Sequence, residues 1–262
     1  MAYFDLYKGI VQHSPKSCGA YCVNAALAEL GFLPTATDVK TIDAVDVKNG
    51  YDVTKENARV NLWRLSYLTD FRLRIAEEVT KQAYKVSGNL ELNPPDATYQ
   101  TNNGSQNFDN SPSGMVAVAS TLAPSLMKNI TYYTTFSEGL FKSFNVQNAI
   151  KGNLFTSEVD LIKTDLKQSV TLSTVTSIPF QICQVNLILV QYAGTNTMHW
   201  VAGTRHLTEA DKAMIYDPAT GDVLEISTTG NFTPQTNKTT KPATQIGPNS
   251  YEFPGIWIRL GA

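Results

Sequence analysis

The chain has 262 residues, 42% of them hydrophobic and 17% charged, enough for one large domain with an ordinary core that folds without covalent staples. A formal net charge of -2, with no basic run and no basic-aromatic stripe, excludes nucleic acid and anionic membrane surfaces as expected partners. Three cysteines, an odd number in a long chain, make no disulfide framework and suggest a reducing compartment.

The start, Met1-Ala2-Tyr3-Phe4-Asp5-Leu6-Tyr7-Lys8-Gly9, lacks the basic segment, apolar run and small-residue cleavage site of a secretory signal. No apolar run approaches membrane-spanning length. A cytoplasmic protein is expected, or one exported without a cleavable signal peptide.

The first regular element follows the stretch Gln12-His13-Ser14-Pro15-Lys16-Ser17-Cys18-Gly19-Ala20-Tyr21-Cys22. Pro15 breaks any earlier helix and Ser17 is a good N-cap, so the spacing predicts a helix from about Cys18 to Gly31. It is apolar nearly all round, which predicts burial on most sides. Cys18 falls in its first turn, where unpaired N–H groups and the positive end of the helix dipole favour a thiolate. Gln12, upstream across the loop, can fold back to set its amide beside the Cys18 N–H, giving two donors for an oxyanion. Cys22, one turn on, reads as a core residue.

Residues 35–53 read as a connector. Thr54 caps a helical pattern containing Ala58, Leu62, Leu65 and Leu68, and a second pattern runs from about Arg72 to Val86. Residues 89–113 are polar with proline and glycine punctuation and read as a long exposed loop. Gly114 to Met127 reads as a helix interrupted at Pro124, Ile130 to Phe136 as a strand, and Ser157 to about Ser169 as a capped amphipathic helix. Strands are then expected at Val185–Gln191, His199–Thr204, Ala213–Tyr216, Val223–Ser227 and Tyr251–Leu260, making the carboxyl-terminal third a mostly antiparallel sheet. The Thr/Asn-rich stretch 228–249 reads as loop, and Cys183 as a core residue beside a strand.

A thiolate nucleophile needs a base, and the chain has three histidines, His13, His199 and His206. His199 begins one expected strand and Asp217 ends the next, so an antiparallel pairing makes them neighbours at one end of the sheet. Asp217 can then orient the imidazole, although an Asp-Pro pair also simply starts a turn. The set Cys18 nucleophile, His199 base and acid, Asp217 orienter and Gln12 oxyanion donor is the equipment for acyl transfer. No phosphate-binding glycine loop, no serine-hydrolase motif and no zinc-ligand spacing occurs, so neither cofactor nor metal is expected.

In these residues the chain resembles the papain-like cysteine peptidases, where Gln, Cys, His and Asn or Asp follow in this order. His199-Trp200-Val201-Ala202, Tyr216-Asp217-Pro218-Ala219-Thr220-Gly221 and Pro254-Gly255-Ile256-Trp257-Ile258 are most similar to the double-glycine leader peptidase group and its free-standing bacterial relatives. The resemblance covers about residues 9–33 and 157–262. It implies an α+β, papain-like two-lobe fold, a helical lobe bearing Cys18 and a sheet lobe bearing His199 and Asp217, in a single catalytic domain over 1–262. Residues 35–155 would be a partly helical, family-specific insertion. It further implies a cysteine peptidase acting on a peptide or isopeptide bond of a peptide or protein substrate through a thioester acyl-enzyme. Phytochelatin synthases share the Gln-to-Cys interval and are a subordinate alternative. An acyl transferase, transpeptidase or deamidase using the same residues, a bacterial effector among them, and a non-catalytic papain-like binding module also remain open.

Overall fold

The computed structural model describes residues 3–12, 18–32, 123–133, 166–173, 177–195, 197–234 and 243–261, together with Pro112, Met115, Val116, Ala119, Ser120, Ile162 and Lys163. Among them stand the α-helix α1 (Cys18–Glu29), helical residues between Pro112 and Ser120, and nine strands: β1 (Met127–Tyr133), β2 (Ser169–Ser173), β3 (Gln184–Tyr192), β4 (Met198–Arg205), β5 (Lys212–Asp217), β6 (Asp222–Ser227), β7 (Ala243–Ile246), β8 (Asn249–Glu252) and β9 (Ile256–Gly261). The strands form one mixed sheet in the order β2-β1-β9-β3-β4-β5-β6, with β8 pairing to the end of β3 and β7 to β8. Only the edge pair β1–β2 is parallel among these ladders. The fold is therefore α+β, with the helix laid on the sheet.

Alternation along the strands gives the sheet two covered faces. Leu187 and Leu189 of β3, Trp200 and Ala202 of β4, Tyr216 of β5 and Ile256, Ile258 and Leu260 of β9 pack with α1 in one core. Ile188, Val190, Val201, Ala213, Ile215 and Trp257 pack with Phe232, Ile246, Tyr251 and Phe253 in a second. Burial on both sides explains why β3 and β4 read as unbroken apolar runs rather than as alternating ones.

Ten consecutive residues of α1, from Cys18 to Leu27, are buried, as an all-round apolar helix requires. The helix ends two residues before the expected Gly31. Gly31 instead takes a left-handed φ of 85° as the residue past the cap. Its N–H donates to Ala28 O at 3.1 Å and that of Phe32 to Leu27 O at 2.8 Å, the paired bonds of a Schellman ending.

Residues 3–12 form a strap that the sequence did not mark as structural. Phe4 and Tyr7 are fully buried against Tyr216, the Tyr216 hydroxyl donates to Ile10 O at 2.9 Å, and Glu29 accepts from the Phe4 N–H at 2.6 Å. The strap crosses the turn after β5, where Gly9 N–H donates to Gly221 O at 2.7 Å and Gln12 N–H to Pro218 O at 2.8 Å. Gly221 has a φ of 76°, and a Cβ there would meet Gly9 C at 2.9 Å and two backbone atoms of Ile10 at 3.1 Å. Both the backbone conformation and the close crossing demand glycine. Gly221→Ala is expected to cost about 2 kcal/mol in a denaturant titration. Gly230→Ala, also at positive φ but with nothing within 4 Å, isolates the conformational part and should cost less.

Several boundaries differ from the sequence reading. The helix expected from Gly114 to Met127 with an interruption at Pro124 does stop there: it is helical at Met115, Val116, Ala119 and Ser120, the Ala123 N–H donates to Ala119 O at 2.9 Å, and the chain then turns into β1 rather than resuming the helix. β1 begins at Met127, three residues before the expected Ile130, because the buried Lys128 ammonium finds Ala123 O at 2.6 Å and can enter the sheet. The expected terminal strand is two, β8 and β9, broken at Phe253-Pro254-Gly255 with Gly255 at φ 90°. β2 and β7 were not expected: β2 is a largely exposed edge, and only Thr244 and Ile246 of β7 turn inward. Cys183, expected in the core, is exposed at a positive φ of 61° just before β3. The helices expected between Thr54 and Val86, nearly all of the loop 89–113, the Ser17 cap and His13 lie outside the described residues, as does most of the expected insertion. No described helix is long and apolar enough to cross a membrane.

Candidate active site

The ladder between β4 and β5 pairs Ala202 with Tyr216. One step further Asp217 lies against Val201, and so diagonally across from His199 on the same face, within reach of a side-chain contact. That contact forms: His199 Nε2 and Asp217 Oδ1 are 2.8 Å apart, with the histidine 2% exposed and the aspartate fully buried. The aspartate also accepts from Ala219 N–H at 2.8 Å, and its carbonyl accepts from Thr220 and Gly221 N–H. It thus holds the imidazole and builds the turn at once.

With Nε2 committed to Asp217, Nδ1 is the ring nitrogen left for the other neighbour. That neighbour is Cys18, whose side chain is hydrogen-bonded to His199. The helix tip reaches the sheet at the end where β4 begins. Gln12 comes to the same end through its backbone bond to Pro218, and its Oε1 is buried without a partner among the described residues.

The electrostatics follow from this packing. Burial opposes a charge on His199, but the Cys18 sulfur and the Asp217 carboxylate together outweigh it and raise the imidazole pKa to about 9. Burial likewise opposes charge on Asp217, and the hydrogen bond and charge of His199, with donors from Tyr251 and Ala219, pull its pKa below the ordinary value. Cys22 contrasts with Cys18. Its thiol donates to Trp200 O at 3.2 Å, and burial, then the Cys18 sulfur and Asp217, push its pKa well up. It is a core thiol, and Trp200, 2% exposed, packs beneath α1.

A buried pair in which histidine joins a cysteine at a helix start to a carboxylate can hold a thiolate beside an imidazolium. The family described as "Invasion plasmid antigen J, cysteine protease" matches residues 11–261, nearly the whole chain, a span that contains Gln12, Cys18, His199 and Asp217. The chain belongs to this cysteine protease family. Comparison with curated proteins and with solved structures gave no match. As a member of the invasion plasmid antigen J family, the chain acts on a peptide or protein substrate.

Sequence reasoning put Tyr251 on the terminal strand but missed its place, and that of Asn249, at the site. Tyr251 donates its hydroxyl to Asp217 Oδ2 at 2.7 Å and Asn249 its amide at 3.4 Å, while the Tyr192 ring lies 5.5 Å from that of His199. No periodicity marks a residue that arrives from a distant strand. His206 lies away from the site with Glu209 and Glu225, which converge as metal ligands could. Lys212 Nζ already sits 2.7 Å from both carboxylates there, and the group is an ion-pair cluster.

Proposed function

We propose that the chain is a papain-like cysteine peptidase working through a thioester acyl-enzyme, with Cys18 as nucleophile, His199 as base and acid, Asp217 as orienter and Gln12 as oxyanion donor. The observation that carries this is the buried His199 ring held between the Cys18 side chain and the Asp217 carboxylate. In acylation the Cys18 thiolate adds to the scissile carbonyl. The oxyanion is met by the Gln12 amide and the Cys18 N–H. Collapse breaks the C–N bond as the His199 imidazolium gives its proton to the leaving amine, leaving a thioester and a neutral imidazole. Water then attacks the thioester, His199 takes its proton, and the carboxylic acid leaves with the thiolate–imidazolium pair restored.

The chain order Gln12, Cys18, His199, Asp217 and the lodging of α1 against the sheet support the papain-like reading. The segments around His199, Asp217 and Trp257 support kinship with the double-glycine leader peptidase group. The insertion over 35–155 would then shape access to the cleft.

Alkylation by iodoacetamide, mapped by peptide mass spectrometry over a pH series, tests the thiolate. Cys183, exposed, serves as the ordinary thiol and Cys22 as the buried one. Cys18 is expected to react faster than Cys183 across the series and to lose that advantage in His199→Ala. A Cys18 no more reactive than Cys183, and unchanged by His199→Ala, would leave a peptide-binding module in place of an enzyme.

A further inference from the structure

Asp217 has two carboxylate oxygens, and only Oδ1 faces His199. Oδ2 is held from the other side by β8, through the Tyr251 hydroxyl at 2.7 Å and the Asn249 amide at 3.4 Å. Tyr251 is 1% exposed, and its ring stacks on the imidazole with centroids 5.7 Å apart and planes 16° from parallel. It also meets the Tyr192 ring at 4.9 Å, and the two hydroxyls are hydrogen-bonded. One side chain therefore touches both members of the pair, its ring on the histidine and its hydroxyl on the carboxylate.

We propose that Tyr251, backed by Asn249, is a positioning residue that fixes the plane of the Asp217 carboxylate and draws part of its charge away from His199. The proposal rests on the catalytic reading only where it speaks of rate. Burial and the Asp217 charge push the Tyr251 hydroxyl far above its ordinary range, so it stays neutral and donates. A carboxylate that shares its charge with a second donor holds the imidazolium less tightly. His199 is then the stronger acid when the leaving amine needs a proton. The titratable groups facing this cluster among the described residues are Cys18 and Cys22 of α1, Tyr192 of β3, Asp217 of β5 and Tyr251 of β8. None but Tyr251 donates a hydroxyl to Oδ2.

The test is Tyr251→Phe, which keeps the stacked ring and removes the donor. In protein labelled with ¹⁵N-histidine, the His199 resonance is assigned by its loss in His199→Gln and titrated by NMR. The midpoint is expected to rise by about one unit. With a peptide substrate, kcat is expected to fall about tenfold at unchanged KM, and the alkaline limb of the rate to move up with the midpoint. An unmoved or lowered midpoint overturns the proposal. Should Tyr251→Phe fail to fold, Asn249→Ala removes the weaker donor to the same oxygen and is expected to give a smaller upward shift, whose absence overturns it equally. The two readings fail separately: a raised midpoint with an inert Cys18 removes the enzyme and keeps the charge-sharing, and a reactive Cys18 with an unmoved midpoint does the reverse.

Discussion

Cys18→Ala is expected to abolish peptide hydrolysis, a fall in kcat of roughly 10⁴-fold or more, while leaving the protein folded. The size of the effect follows from what the sulfur supplies. Without it no thioester forms, and only binding and the oxyanion donors remain to accelerate attack by water. The fold should survive because alanine suits a helix start buried in an apolar core, and the residues that brace α1, from Tyr21 to Leu27, are untouched. Cys22→Ala is the matched control. It removes a thiol bonded, among the described residues, to the Trp200 carbonyl and should leave turnover within about threefold. Turnover of a peptide library by both variants, read beside their unfolding curves, checks the pair. Hydrolysis that persists in Cys18→Ala would mean that some other group attacks the substrate.

The residues involved here were legible to different degrees, for physical reasons. Cys18 was visible because helix starts carry local signals, and the apolar run after it announced burial. His199 and Asp217 were visible because a short connection forces antiparallel neighbours, so strand ends read from the sequence translate into proximity. The two-sided core was half visible: unbroken apolar runs in β3 and β4 said "buried" without saying by what. Tyr251 and Asn249 could not be found this way. They come to Asp217 across the β8–β3 pairing, and neither Gln191↔Glu252 nor Tyr192↔Tyr251 is encoded by any short-range pattern. The strap of residues 3–12 failed to register because it contains neither period. Its cohesion comes from Phe4 and Tyr7 packed on Tyr216 and from the Gly9–Gly221 crossing, which is a long-range contact between residues that each look like ordinary turn glycines. Local chemistry, in short, names the reacting groups, while the groups that hold them in place belong to tertiary structure.

Asp217→Ala is expected to be the most damaging change outside the cysteine, and its comparison with Asp217→Asn separates charge from geometry. Alanine leaves the His199, Tyr251, Asn249 and Ala219 donors facing an empty, water-poor site, so stability should fall by about 3–5 kcal/mol near pH 6 and kcat by roughly 10³-fold. Asparagine keeps an acceptor oxygen for His199 Nε2 and the Ala219 N–H, and its amide can donate to the Tyr251 oxygen. It removes the charge. With part of the support for the imidazolium gone, the His199 pKa falls from about 9 toward its ordinary 6.5. A raised folded-state pKa stabilises the protein fully below about 6.5 and is lost as the pH climbs through about 9. In wild type both stability and kcat/KM should therefore decline through that alkaline window. Asp217→Asn should bring the decline to lower pH, staying within about tenfold of wild-type activity near pH 6 and falling further behind above it. At the acid end the sign reverses. The depressed Asp217 pKa contributes stability above the ordinary 3.8 that is lost as the pH drops below it, and Asp217→Asn should lack that acid dependence. Paired pH profiles of kcat/KM and of the denaturation midpoint check both ends. An alkaline limb that stays in place in Asp217→Asn would mean that the Cys18 sulfur alone sustains the imidazolium, with the carboxylate serving only to build the Pro218–Gly221 turn.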